Sequence, residues 1–286
     1  MADLQGAACP DKKTYLGPLG ISEQLCVLGL SKYADKSREN SRDQSTRYAL
    51  ACLDLALSAN EQEFYSRFVE KQMNEAFAVV DEVLRAKDTF DELPVTEAAT
   101  IKCFEPLFRA RCSREPITPG NILEISRDLG ELILALDPQK TQKKSDIKGK
   151  RTELEVMYLL LRTGDPNYIP WIASPREEKS SIVRLNHDLY LLQDMDKVPI
   201  QVKFNRHPNT RRYAKSVVVI YYQELLARVR SRVGAQTASD GDFLPKLIRN
   251  ELSERGSRKK QNILTLASRE LIVMIETQQK RDKALA

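Results

Sequence analysis

The spacing of apolar residues changes along this chain, and that change restricts its fold more than any other feature. Before residue 137, apolar residues recur at helical spacing, as in the series Phe64, Phe68, Met73, Phe77, Val80 and Leu84. After residue 150, short apolar and β-branched runs predict strands at 168–173, 182–192, 198–204 and 217–221. Helical spacing precedes these strands at 152–162 and follows them at 224–233, 243–252 and 262–278. We therefore predict an α/β core, a central mixed sheet flanked by helices, with an added N-terminal all-helical domain.

A polar stretch separates the N-terminal part, which has helical spacing, from the part with predicted strands. Residues 138–150 are rich in Lys, Gln and Ser and contain no large apolar residue except Ile147, so we interpret them as a basic linker. The predicted organisation is a helical domain over 41–137 and an α/β domain with C-terminal helices over 151–286. Residues 1–40 receive no assignment.

Composition narrows the class of protein. The chain has 286 residues, of which 42% are hydrophobic and 30% charged, as expected of a soluble folded protein. No apolar run approaches the roughly 18 residues of a membrane span, and the five cysteines form no C-x-x-C pair. We expect a cytoplasmic protein with no membrane association. The sequence contains no Walker A loop and no G-x-S-x-G, which argues against a P-loop NTPase or a serine hydrolase.

One predicted strand carries two polar residues on a single face. In the run from Ile200 to Phe204, side chains alternate, so Ile200, Val202 and Phe204 point toward a core while Gln201 and Lys203 share the other face. Burying a lysine without a partner is costly, so this face requires an interaction partner. The pattern marks it as a candidate functional site.

Asp188 is the candidate partner. It lies on the preceding predicted strand, and a short connection through residues 193–197 would place it near Gln201 across a hairpin. A carboxylate and an amide carbonyl are oxygen ligands of the kind that Mg²⁺ takes. A lysine beside such a metal can position or activate an attacking water. The metal itself stabilises charge on a phosphate.

Asp188 followed by Gln201, Val202 and Lys203 resembles the motif of the PD-(D/E)XK nuclease superfamily, which has the restriction-endonuclease-like fold. In that family an Asp is followed by an acid, or in some branches a Gln, two positions before a Lys. A preceding helix often contributes a Glu, which Glu153 matches here, with Glu155 as the alternative. The resemblance covers about residues 148–232.

The resemblance implies roles for four residues. Glu153 and Asp188 would hold a metal, Gln201 would add a carbonyl ligand, and Lys203 would serve the attacking water. The implied cofactor is Mg²⁺, with Mn²⁺ as a substitute. The implied activity is that of an endonuclease acting on DNA, with RNA not excluded, in restriction or defence. A homodimer is expected by analogy with restriction enzymes of the family.

Basic clusters flank the proposed site, and the overall charge of +5 favours a phosphate-bearing partner. Phosphate contacts give affinity and register without reading sequence. The residues that we expect to bind the nucleic-acid backbone are Lys143, Lys144, Lys148, Lys150, Arg151, Arg206, Arg211, Arg212 and Lys215.

Three alternatives stay open. The residue before Asp188 is His187, where the family usually has Pro, and Gln201 replaces the commoner acid. The missing charge favours a catalytically degenerate nuclease fold that only binds nucleic acid. A repair or recombination nuclease is a second alternative. A helical interaction protein, with Gln201 and Lys203 on the surface of an edge strand, is the third.

Overall fold

The structure is a computed structural model of the full chain. It describes residues 66–85, 93–112, 115–136, 144–172, 188–193, 196–205, 217–233, 243–253 and 258–284.

The described part of the chain is mostly helical and contains a small mixed sheet. Its helices are α1 (Ser66–Arg85), α2 (Leu93–Cys103), α3 (Glu105–Cys112), α4 (Pro119–Ala135), α5 (Lys144–Leu161), α6 (Tyr222–Val233), α7 (Phe243–Leu252) and α8 (Arg258–Ala284). Its strands are β1 (Pro170–Ile172), β2 (Leu189–Gln193), β3 (Asp196–Lys203) and β4 (Val218–Tyr221).

The four strands form one sheet in the order β1-β2-β3-β4. The first three are antiparallel neighbours, and β3 and β4 run parallel. Each of the four strand segments expected from the sequence overlaps one of these strands, although β2 ends one residue later than expected and β3 begins two residues earlier. The expected segment 182–192 is only partly described, because residues 173–187 lie outside the described part of the chain.

Helix α4 shows how local sequence sets an element boundary. Thr118 is its N-cap, and Thr118 and Asn121 each bond the other's backbone N–H, an arrangement that satisfies donors the helix itself leaves open. Pro119 occupies the first turn, where its missing N–H costs nothing. The apolar stripe predicted for this helix is buried, as Ile122, Ile125, Leu129, Leu132 and Ile133.

Helix α5 differs from its prediction at the N-terminal end. It begins at Lys144, so the second half of the predicted linker is helical. Ile147, the one large apolar residue of that stretch, is buried and ties the first turns to the core. The lysines nearby are good helix formers and do not oppose this extension. Residues 137–143 lie outside the described part, so the domain boundary itself stays a prediction.

The described helices of the N-terminal half and the sheet share one hydrophobic core. Every residue from Val156 to Leu161 in α5 is buried, as expected for a helix covered on all sides. Helix α5 contacts α4 on one side and β3 on another. An aromatic chain of edge-to-face contacts joins Phe77 of α1, Phe108 of α3 and Trp171 of β1, with ring centroids 6.2 and 5.5 Å apart.

The outer edge of β4 is covered by α8. The side-chain oxygen of Gln278 accepts a hydrogen bond from the Val219 N–H at 3.0 Å, which satisfies a backbone donor at the sheet edge. Among the helices in the described part of the chain, none is both long enough and apolar enough to cross a membrane.

Candidate active site

Pairing between β2 and β3 positions Asp188. Leu189 lies opposite Ile200 in the antiparallel register, and Asp188, directly before β2, donates its backbone N–H to the Ile200 carbonyl at 2.9 Å. The Asp188 side chain therefore turns toward Gln201. One of its oxygens, Oδ2, accepts a hydrogen bond from the Val202 backbone N–H at 2.7 Å. The expected proximity of Asp188 and Gln201 is present.

The orientation of the Gln201 amide follows from this contact. Its Nε2 donates to Asp188 Oδ2 at 2.6 Å, and because an ionised carboxylate only accepts, the amide oxygen must point the other way. That oxygen, Oε1, is buried and accepts no hydrogen bond from any residue that the structure describes. Gln201 as a whole is 2% exposed. A buried acceptor without a donor is costly, so this oxygen calls for a ligand.

Glu153 approaches the same point from helix α5. Its side chain is 18% exposed and forms an ion pair with Lys150, with Nζ and Oε2 2.9 Å apart. Burial raises the pKa of Glu153, and the negative charge of Asp188 raises it further. The two carboxylates are therefore close enough to repel each other.

Lys203 completes the group. It lies at the end of β3, opposite Tyr221 of β4, and is partly exposed. Its positive charge lowers the pKa of both Asp188 and Glu153, against the larger effect of burial. Lys203 therefore lies near both carboxylates, and the structure brings together the four residues predicted for the catalytic site.

Burial dominates the electrostatics of the two acids. It raises the pKa of Glu153, partly offset by Lys150, and it raises the pKa of Asp188, partly offset by the Val202 N–H. In each case the charged form loses hydration that its neighbours restore only in part. A bound divalent cation would favour the ionised forms of both.

Glu155, the alternative helix acid, lies elsewhere. Two positions along a helix correspond to nearly opposite faces, and Glu155 accepts a hydrogen bond from the hydroxyl of buried Tyr222 and pairs with Arg151. Burial and the Glu155 carboxylate raise the pKa of Tyr222 well above its ordinary value. These contacts link α5 to α6, so Glu155 has a structural environment separate from the site.

The basic residues predicted to hold the nucleic-acid backbone divide into four sets. Lys150 and Arg151 are largely buried and paired with Glu153 and Glu155, so neither presents its charge on the open surface as expected. Lys148 is exposed, with its ammonium 4.0 Å from the centre of the Phe204 ring. Lys144 lies in the first turn of α5, and its side chain is not described. The remaining predicted contacts lie outside the described residues, at Lys143, Arg206, Arg211, Arg212 and Lys215.

The residues present fit a divalent cation through oxygen ligands. Within the part of the chain that the structure describes, no three His, Cys, Asp or Glu side chains form a group that could hold a metal ion. The set here is two carboxylates and one amide carbonyl, and hard cations such as Mg²⁺ accept carbonyl oxygen and keep several waters. The buried Gln201 Oε1 without a donor is the structural feature that supports this assignment.

The expected position of Lys150 among the surface cations of a linker differs from the structure. Lys150 is 9% exposed and contacts Glu153. The available signal was its spacing, because Lys150 and Glu153 are three positions apart and therefore neighbours if the helix extends that far.

Comparison of the chain with protein-family models, with curated proteins and with solved structures finds no match in any of the three.

Proposed function

We propose that this protein is a metal-dependent endonuclease of the PD-(D/E)XK type that hydrolyses phosphodiester bonds in DNA. The observation that carries the proposal is the meeting of Glu153, Asp188, Gln201 and Lys203 beside β3. Their order in the described chain, an acid on a helix, an Asp before one strand, and Gln-x-Lys on the next, followed by a strand and a helix, agrees with the resemblance of the sequence.

Each residue would have a distinct task. Glu153 and Asp188 would hold the cation by their carboxylates, and Gln201 would add its otherwise unsatisfied Oε1. Lys203 would position the attacking water by hydrogen bonding. Mg²⁺, when bound, stabilises negative charge on the phosphate and favours deprotonation of that water. The Val202 N–H fixes the Asp188 carboxylate, so the ligand set is held by backbone as well as by side chains.

Restriction or phage defence is the proposed setting, because many enzymes of the family that the sequence resembles serve there. DNA is the proposed substrate. Repair and recombination nucleases use the same chemistry and stay open as alternatives.

The direct test is incubation of purified protein with supercoiled plasmid and Mg²⁺, with and without EDTA. We expect nicked or linear product that EDTA abolishes. Asp188→Ala and Lys203→Ala should each reduce cleavage at least about 100-fold, because each removes a group that acts on the transition state. Matched controls are Glu124→Ala and Lys246→Ala, which remove an exposed acid on α4 and an exposed lysine on α7. Cleavage by either site variant at the wild-type rate would contradict the assigned roles.

A second candidate is a nuclease fold that binds nucleic acid without cutting it. Two carboxylates, Glu153 and Asp188, face two ammonium groups, Lys150 and Lys203, so the site is nearly neutral before any cation binds. This balance, with Gln201 in place of a third acid, lowers the attraction for a divalent ion. Metal-independent DNA binding without cleavage in Mg²⁺ or Mn²⁺ would select this candidate.

A further inference from the structure

Lys150 holds one of the proposed metal ligands. Its Nζ lies 2.9 Å from Glu153 Oε2, and the side chains are only 10% and 18% exposed. Burial raises the pKa of Asp188, and the positive charge of Lys150 acts against that increase. Lys150 is therefore paired with Glu153 and within electrostatic range of Asp188, so its charge would oppose a cation bound between the two carboxylates.

The geometry of α5 keeps this lysine at the site. Lys150 and Glu153 are three positions apart on the same helix, and the helix is anchored before and after them by buried Ile147 and Leu154. The ammonium sits on a four-carbon stem with rotatable bonds. Rotation about these bonds would move the ammonium off the carboxylate with the helix in place.

We propose that Lys150 is an internal counter-ion for Glu153 that gives up this carboxylate when a divalent cation binds, and that its ammonium then contacts a phosphate of the nucleic acid. The inference rests on the proposed function, since it assumes that Glu153 is a metal ligand. It adds that metal and lysine compete for Glu153, so the cation binds weakly until nucleic acid offers Lys150 a new partner. Metal and nucleic acid then bind cooperatively.

Competition predicts that loss of the lysine charge tightens metal binding. Titration calorimetry with Mn²⁺ alone, without nucleic acid, measures this. We expect Lys150→Met to bind Mn²⁺ about tenfold more tightly than the wild type, because a unit positive charge a few ångströms from the cation is removed. Lys150→Arg keeps the charge and should resemble the wild type. Lys246→Met, the control on α7, should also leave Mn²⁺ affinity unchanged.

If Lys150 contacts a phosphate, loss of its charge should weaken nucleic-acid binding, the opposite of the effect expected on metal binding. In Ca²⁺, used to measure binding without turnover, Lys150→Met should bind a duplex oligonucleotide several-fold more weakly than the wild type and Lys246→Met. The opposite directions of the two effects separate this role from a merely structural one, since a misfolded variant would lose affinity for both ligands.

Lysine labelling of the wild-type protein provides a test that needs no variant. Reaction of Lys150 with an acylating reagent, followed by mass spectrometry of its peptide, should increase when Mn²⁺ saturates the site and decrease when duplex DNA is added. Equal Mn²⁺ affinity for wild type and Lys150→Met, or labelling of Lys150 that Mn²⁺ does not change, would overturn the counter-ion role while leaving the metal site intact. If neither the wild type nor Lys150→Met binds Mn²⁺, the proposed function fails and this inference fails with it.

Discussion

Gln201 is the residue on which the assignment of a metal site most depends. It occupies a strand position where neighbours on the opposite face, Ile200 and Val202, belong to the core, yet its own side chain is equally buried. Its amide nitrogen has Asp188 as a partner, whereas its oxygen has no donor among the described residues. Natural proteins rarely leave such an atom unsatisfied, and exceptions often mark a ligand position.

Substitution of Gln201 tests the assignment of that oxygen. Gln201→Glu keeps an oxygen in nearly the same place and adds a negative charge, which a hard cation favours. We expect it to hold Mg²⁺ more tightly and to keep or raise the cleavage rate. Gln201→Ala should weaken Mg²⁺ binding and slow cleavage about tenfold or more.

Metal titration of the two Gln201 variants and the wild type decides the point. Unchanged Mg²⁺ dependence in Gln201→Ala would remove Gln201 from the ligand set. If the wild type never cuts and Gln201→Glu does, the natural protein is a degenerate nuclease, and the binding-module candidate is the correct one.

Helix α5 carries two acids that lie in different environments. Glu153 faces β3 and the site, and Glu155 faces α6 through Tyr222. The pKa of Glu153 is raised by burial, so its ionised form costs stability in the folded protein at neutral pH. Glu155 is a hydrogen-bonded acceptor between two helices, and its loss would leave the Tyr222 hydroxyl and Arg151 without that partner.

Amide substitutions at these positions should therefore act in opposite directions. For a carboxyl with a raised pKa, stability falls as pH rises through that pKa, and Glu153→Gln removes this loss. Because Glu153→Gln alone would leave the buried Lys150 ammonium without its carboxylate, the comparison is made in the Lys150→Met background, where Glu153→Gln should unfold at the same or a slightly higher temperature than Lys150→Met alone. Glu155→Gln should lower the free energy of unfolding by about 1–3 kcal/mol. Thermal and urea unfolding at pH 7 measure both, and metal titration should show loss of binding only in Glu153→Gln. Equal destabilisation by the two substitutions would contradict the division of roles.

Part of the fold and of the candidate site could be predicted from the sequence, and part could not. Strands β3 and β4 were predictable because alternation and β-branched runs reflect local burial on a pleated surface. The pairing that puts Asp188 beside Gln201 was predictable from the short connection between their strands. The inward position of Lys150 was not, because a lysine-rich stretch has the same local pattern in a solvated loop and in a helix. Only the packing of Ile147 and the partner Glu153 distinguish the two.

The hydrophobic core and the distribution of charge both affect how this protein would hold a substrate. Helices α2 and α4 pack on the helix that carries Glu153, and the described helices of the N-terminal half share one hydrophobic core with the sheet. The site is therefore supported from both sides rather than placed on a loop, and such support favours fixed geometry. The chain carries 45 Lys and Arg against 40 Asp and Glu, a modest excess of positive charge. Binding to a polyanion must therefore depend on where the cations lie.

The position of Lys148 makes salt dependence a specific prediction. Its ammonium is exposed and lies over the ring of Phe204, the residue directly after Lys203, so it is a cation beside the proposed site. Each lysine that neutralises a phosphate on duplex DNA adds about 0.9 to the slope of log affinity against log salt concentration. Duplex binding by the wild type should weaken steeply between about 50 and 200 mM salt.

Lys148→Gln should reduce the slope by about 0.9, whereas Lys246→Gln, which removes an exposed lysine of α7, should leave it unchanged. Fluorescence anisotropy at several salt concentrations gives the slopes. A slope that is the same in wild type and Lys148→Gln would show that Lys148 does not contact phosphate, and an affinity that does not change with salt would indicate a ligand other than nucleic acid.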